Sequence, residues 1–168
     1  MPISRFGQIV QTLPVLSPAD IAATATKTAL VNLSGAHRCS FKLHFGSITA
    51  TSADQAITVK VYGATSAATT TATAIAFKYR LSSAVATDTW GDVTAATAAA
   101  GASVATTDDG KVLLIDVDPR DVFAAGASGG GQYCYVLITP DAGAGVTMVG
   151  AIAEIEPRYA QNSMVSTS

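Results

Sequence analysis

The chain has 168 residues, 49% hydrophobic, 13% charged and 7% aromatic, with a formal net charge of -2. That length suits one domain, since a chain of this size buries roughly 70% of its unfolded surface on folding. Ten Lys and Arg against twelve Asp and Glu, with no basic run, exclude a conventional nucleic-acid binder, which needs clustered cations for phosphate.

Residues 1–20 carry Pro2, Pro14 and Pro18 among Phe6, Ile9, Val10, Leu13, Val15 and Leu16. Proline at that spacing argues against a helix, and the apolar content argues against a solvated tail. Two readings stand side by side: an extended arm lying on its own or a neighbour's surface, or an ordinary edge strand. A short β run follows at 28–33, closed by Ser34-Gly35. In 39–45, every second residue is apolar, so Cys39, Phe41, Leu43 and Phe45 face one way and Lys42 and His44 the other. Residues 57–63 and 75–81 repeat the pattern.

The Ala- and Thr-rich stretches 64–74 and 94–105 read as extended connections or edge strands, because Thr, Ser and Gly101 weaken the helical preference of Ala. Thr107-Asp108-Asp109-Gly110 is expected to be a tight turn, with Asp-Gly supplying the positive φ of a hairpin. The strand 111–117, apolar on both faces, is expected at the centre of a sheet. Asp118-Pro119-Arg120-Asp121 then announces a short helix near 118–126: an N-cap acid, proline at the first position and a further acid in the first turn. Strands at 133–139 and 146–155 close the pattern. The fold class is therefore all-β, a single β-sandwich or jelly-roll-like domain. It comprises an N-terminal arm (1–20), the sandwich (21–157) and a C-terminal tail (158–168).

The apolar fraction is mostly Ala; 32 Ala and 21 Thr make up nearly a third of the residues. No stretch of about 18 residues is uninterruptedly apolar, so no membrane span or membrane partner is expected. Residues 1–6 lack the order of a secretory signal, and two cysteines are too few for a disulfide scaffold, so synthesis in a reducing cytoplasm is the plain reading.

Chemistry finds few candidates. His44 falls on the polar face of its strand, where a solvated imidazole is favoured over a general base. His37, Cys39, His44 and Cys134 match no zinc spacing, and Cys39 and His44 point to opposite faces. Two buried free thiols are favoured over a Cys39–Cys134 disulfide. The acids Asp108, Asp109, Asp116, Asp118 and Asp121 lack the order of a calcium loop. The glycines of 126–131 follow a helix rather than open one, so they do not cradle phosphate. Trp90 is expected to plug one end of the sandwich rather than stand exposed for a sugar ring. No catalytic residue, metal or cofactor is expected. The apolar arm and the tail after Arg158 are the surfaces best satisfied by neighbouring subunits, which nominates Phe6, Ile9, Val10, Leu13, Val15, Leu16, Arg158 and Tyr159 as interface residues.

Four segments carry a family likeness: Phe77-Lys78-Tyr79-Arg80-Leu81, Asp88-Thr89-Trp90-Gly91, the stretch from Asp108-Asp109-Gly110-Lys111 to Asp116-Val117-Asp118-Pro119, and Glu156-Pro157-Arg158-Tyr159-Ala160-Gln161-Asn162. Over residues 55–165 the chain resembles the capsid decoration, or cement, proteins of tailed bacteriophages. The resemblance implies a β-sandwich on the outside of an icosahedral head, bridging major capsid protein subunits around local threefold axes, most simply as a homotrimer. It brings no catalytic residues. A receptor- or carbohydrate-binding β-module of a tail or fibre is the alternative from another class, with a tail-tube or head-completion component third.

Overall fold

The computed structural model describes residues 10–22, 24–52, 55–67, 72–125 and 130–158. Its elements, in chain order, are β1 (Gln11–Ala22), β2 (Thr26–Lys27), β3 (Val31–Asn32), β4 (Ala36–Phe45), β5 (Ile48–Ala50), β6 (Ala56–Ala64) and β7 (Thr73–Ile75). There follow β8 (Phe77–Leu81), β9 (Thr94–Ala96), β10 (Ala102–Ala105), β11 (Val112–Val117), the helix α1 (Pro119–Ala124), β12 (Tyr133–Pro140) and β13 (Ala144–Pro157). One sheet runs β1-β13-β4-β11-β8-β9, with β5 also on β13; the other runs β10-β6-β12-β2, with β3 on β12 and β7 on β6. Over the described residues the fold is an all-β sandwich of two antiparallel sheets with one short α-helix.

The period-two runs set the inner faces. Phe41, Leu43 and Phe45 of β4 and Leu113 and Ile115 of β11 line one sheet; Ile57, Val59 and Val61 of β6 and Val136 and Ile138 of β12 line the other. Burying each such side chain contributes about 1.5–3 kcal/mol. As the sequence leads one to expect, β11 is interior, flanked by β4 and β8. Alanine is not confined to connections. Ala151 and Ala153 of β13 lie opposite Leu43 and Phe41 of β4, so small residues face large ones across the ladder and leave room for the second sheet.

Several expectations are corrected. The run 28–33 is not one strand: 28–30 connect β2 to β3, and only Val31–Asn32 pair as a strand. The run 75–81 is two strands on different sheets: Ile75 pairs with Val61, whereas Phe77 pairs with Ala96. The chain changes sheet at Ala76, which is exposed between two buried residues, so the alternation passes unbroken through a sandwich corner. Nor is 107–110 a hairpin turn, because it joins β10 of one sheet to β11 of the other. It holds a 3-10 turn at Thr106–Asp108, and Gly110 does adopt positive φ (69°).

Of the two readings of the N-terminal segment, the structure has the edge strand over Gln11–Ala22. β1 pairs with β13 with three register shifts. Edges and bulges are where a strand tolerates proline, and Pro14 and Pro18 occupy this one. The helix begins as its sequence announces: Asp118 Oδ1 accepts a hydrogen bond from the Arg120 amide at 2.9 Å, and Pro119 holds the first position.

Candidate interaction surface

The register places Gln11 opposite Ile155 and Pro157 opposite Ala36. The described chain therefore enters and leaves the first sheet at the same end as α1. There the start of β4, the start of β8, the end of β11 and the first turn of α1 converge on an open groove of about 850 Å³. His37, Arg38, Phe77, Lys78, Asp116, Asp118, Arg120 and Arg158 are among its walls. A smaller cleft of about 360 Å³ adjoins it across Pro119, Arg120 and Arg158 and reaches Phe123, which is 57% exposed.

Charge in the groove is unevenly committed. Arg38, Lys78, Arg120 and Arg158 face Asp116, Asp118 and Asp121. Asp116 is taken by Arg38, whose Nη2 lies 2.8 Å from Oδ1, a solvated pair worth about 0–1 kcal/mol. Asp118 is taken by the helix N-terminus. Arg158 is pinned by its own chain: its amide donates to the Gly35 carbonyl at 2.9 Å and its Nε to the Ala36 carbonyl at 3.1 Å. The side chains of Lys78 and Arg120 have no polar partner among the described residues. Asp121 is exposed and its carboxylate has no partner among the described residues, so the groove offers two unpaired cations against one unpaired carboxylate.

The nominated interface residues separate. Arg158 stands exposed on this groove. Leu13 and Val15 are buried in the chain's own core and are closed to a neighbour while the sandwich is folded; Leu16 packs against that core. Val10 is half-buried. Phe6, Ile9 and Tyr159 lie outside the described residues. Apart from Arg158, the groove residues were not nominated from the sequence as one surface, because they come from separated segments that share no spacing.

At the far end, the β8–β9 hairpin projects a tip over 82–92. The tip is ordered by the Gly91 amide on the Leu81 carbonyl (2.9 Å), the Ser83 amide on the Thr89 carbonyl (3.0 Å) and a bridge between Ser82 and Trp90. Trp90 is half-exposed and absent from the hydrophobic core. It does not plug the sandwich. Val85 (60% exposed) and Val93 (51%) stand near it, with Asp88 and Asp92 exposed on either side.

The reactive groups lie elsewhere. Cys39 and Cys134 are free and fully buried. Burial, with Asp116 adding to it, pushes the Cys39 thiol up to about 12. Burial and the neighbouring Cys39 raise Cys134 too. Neither is a nucleophile in the folded chain, because the thiolate is the reactive form. His44 is exposed, as its place on the strand predicts. Among the described residues no three His, Cys, Asp or Glu converge to hold a metal, and no helix is long and apolar enough to cross a membrane. On the outer face of the second sheet, Tyr62 and Tyr135 stack with centroids 5.2 Å apart and rings within 8° of parallel. Burial raises the Tyr135 hydroxyl above its ordinary value, with Tyr62 and Cys134 contributing.

No family model matches the chain, and no curated protein matches it significantly. Among solved structures it is similar to a chain from the structure of infectious bursal disease virus, Gt strain, at 13% identity and a TM-score of 0.26. That match covers 95% of this chain and 45% of the viral one, so the chain spans less than half of the viral chain's length.

Proposed function

We propose that this chain is a structural protein of a virion: a decoration protein that binds the outside of a phage head and stabilises the major capsid protein lattice. The observation that carries this reading is where the chain spends its exposed surface. Exposed apolar side chains stand at both ends of a firmly cored sandwich, Val85 and Val93 at the hairpin tip and Phe123 at the helix, while the two thiols are sealed inside it. Such a surface serves packing against neighbours. The family likeness over 55–165 supplies the head as the lattice, and homotrimers as the assembly.

Binding only the expanded lattice would stabilise it by mass action, and many weak contacts repeated over a lattice need no deep site. The test is to add the purified chain to expanded heads that lack it. Saturable binding with a raised disruption temperature is expected, with this fold visible on the head exterior by cryo-electron microscopy. Density on the tail alone, or no binding to heads, overturns the proposal.

A second reading, a carbohydrate-binding β-module, is favoured by the half-exposed Trp90. It requires glycan binding that is lost in Trp90→Ala. A glycan screen in which the native chain and Trp90→Ala give the same empty result removes it.

A further inference from the structure

Charge is divided between the two ends of the sandwich. At the hairpin-tip end lie Asp88, Asp92, Asp108, Asp109 and Asp141, with Lys111 already paired to Asp108 at 2.9 Å. Of these acids, Asp109 and Asp141 are bound to backbone amides, of Ile48 and Ala56. Asp88 and Asp92 have no obligation of that kind: among the described residues, neither has a side-chain partner. They flank a half-exposed indole on an ordered hairpin tip. At the opposite end, Lys78 and Arg120 are unpaired cations against one unpaired carboxylate, Asp121, beside the exposed methyl groups of Ala76 and Ala95, in a groove of about 850 Å³. That volume suits the concave sites that take a group of several side chains.

We propose that the groove receives the hairpin tip of a second copy of this chain, Trp90 entering between the apolar walls while Asp88 and Asp92 meet Lys78 and Arg120. The knob's two unpaired carboxylates meet a groove whose two unpaired cations outnumber its one unpaired carboxylate, and each side brings exposed apolar atoms, so the match is both electrostatic and hydrophobic. Because β8 begins in the groove and runs to the tip, both halves of the contact belong to one edge of one sheet. The contact is heterologous: each copy gives a knob and receives one, so copies close into a ring or continue in a row. This self-contact does not depend on the lattice reading, because it is assayed without heads.

The lone tryptophan makes the test direct. In the native chain, Trp90 emission is expected to shift to the blue as concentration rises, in step with a growing mass by sedimentation, and both changes should weaken at high salt. Asp88→Lys/Asp92→Lys and Lys78→Glu/Arg120→Glu, each at exposed positions, should keep the circular dichroism of the native chain and weaken self-association by about tenfold or more. Mixing the two variants should restore the blue shift and raise the mass at least to that of a pair, since the knob of each then opposes the groove of the other. A native chain that stays monomeric with unshifted emission at every concentration overturns the proposal. So does loss in both variants without recovery on mixing. A blue shift that appears only when heads are added also overturns it, and gives the groove or knob to the lattice instead.

Discussion

The two ends of the sandwich are closed by different means. Where α1 lies, closure is by packing. A methyl added to Gly131 would collide with the Val122 carbonyl oxygen, and one added to Gly63 would sit 3.2 Å from both that oxygen and Ala125 Cβ. At the opposite end closure is by acids that accept hydrogen bonds from backbone amides: Asp109 from Ile48 at 2.6 Å, Asp108 from Ala105 at 2.9 Å and Asp141 from Ala56 at 3.0 Å. The first kind of closure fails when volume is added, and the second fails when an acceptor is removed. A chain with few large residues can close one end by bringing backbone against backbone, and the other with short polar side chains that need no apolar cover.

Adding volume to the packed end should have the largest effect. Gly131→Ala is expected to lose about 3 kcal/mol, the upper part of the range for overpacking, read as a lower urea midpoint. At the polar end, Asp109→Ala should lose about 2 kcal/mol, because a partly buried amide loses a charged acceptor, whereas Asp109→Asn, which keeps an acceptor, should lose clearly less. If both variants lose equally, a neutral acceptor of the same volume contributes nothing, the negative charge rather than the hydrogen bond closes this end, and the contrast between the ends collapses. Asp118→Ala removes the N-cap of α1 and should cost about 1 kcal/mol, less than the packing defect at the same end. The smallest change is a gain. Met148, 56% exposed, has φ of 64° where the β1–β13 register breaks, so Met148→Gly should gain about 0.5 kcal/mol from relieved strain net of glycine's entropy. Thermal melts of the two chains would resolve it.

Much of this architecture was legible in the sequence because burial on one face of a strand writes itself as alternation. Cys39 to Phe45 and Ile57 to Gly63 are read directly, and Asp118-Pro119 names its helix by capping chemistry. The same signal hid the corner at Ala76. Ile75 and Phe77 both point inward, one from each sheet, so a two-residue period cannot tell a continuous strand from one that changes sheet. Asp109-Gly110 had turn chemistry without saying which strands the turn joins. Leu13 and Val15 looked like sticky surface because prolines masked an edge strand whose inner face is core. The groove was illegible for a different reason: Arg38, Lys78, Arg120 and Arg158 become neighbours only through strand order, which no local pattern encodes.

The sealed thiols carry a consequence for handling and for life outside a cell. Both sulfurs lie where neither oxidant nor alkylating reagent arrives until the sheets part, and Cys39 holds its proton up to about pH 12. The thiols of the folded chain are therefore indifferent to redox surroundings: they should stay reduced with and without reductant, and copies cannot become disulfide-linked by air. A domain that seals its cysteines in this way needs no change of thiol state on passing from reducing to oxidising surroundings.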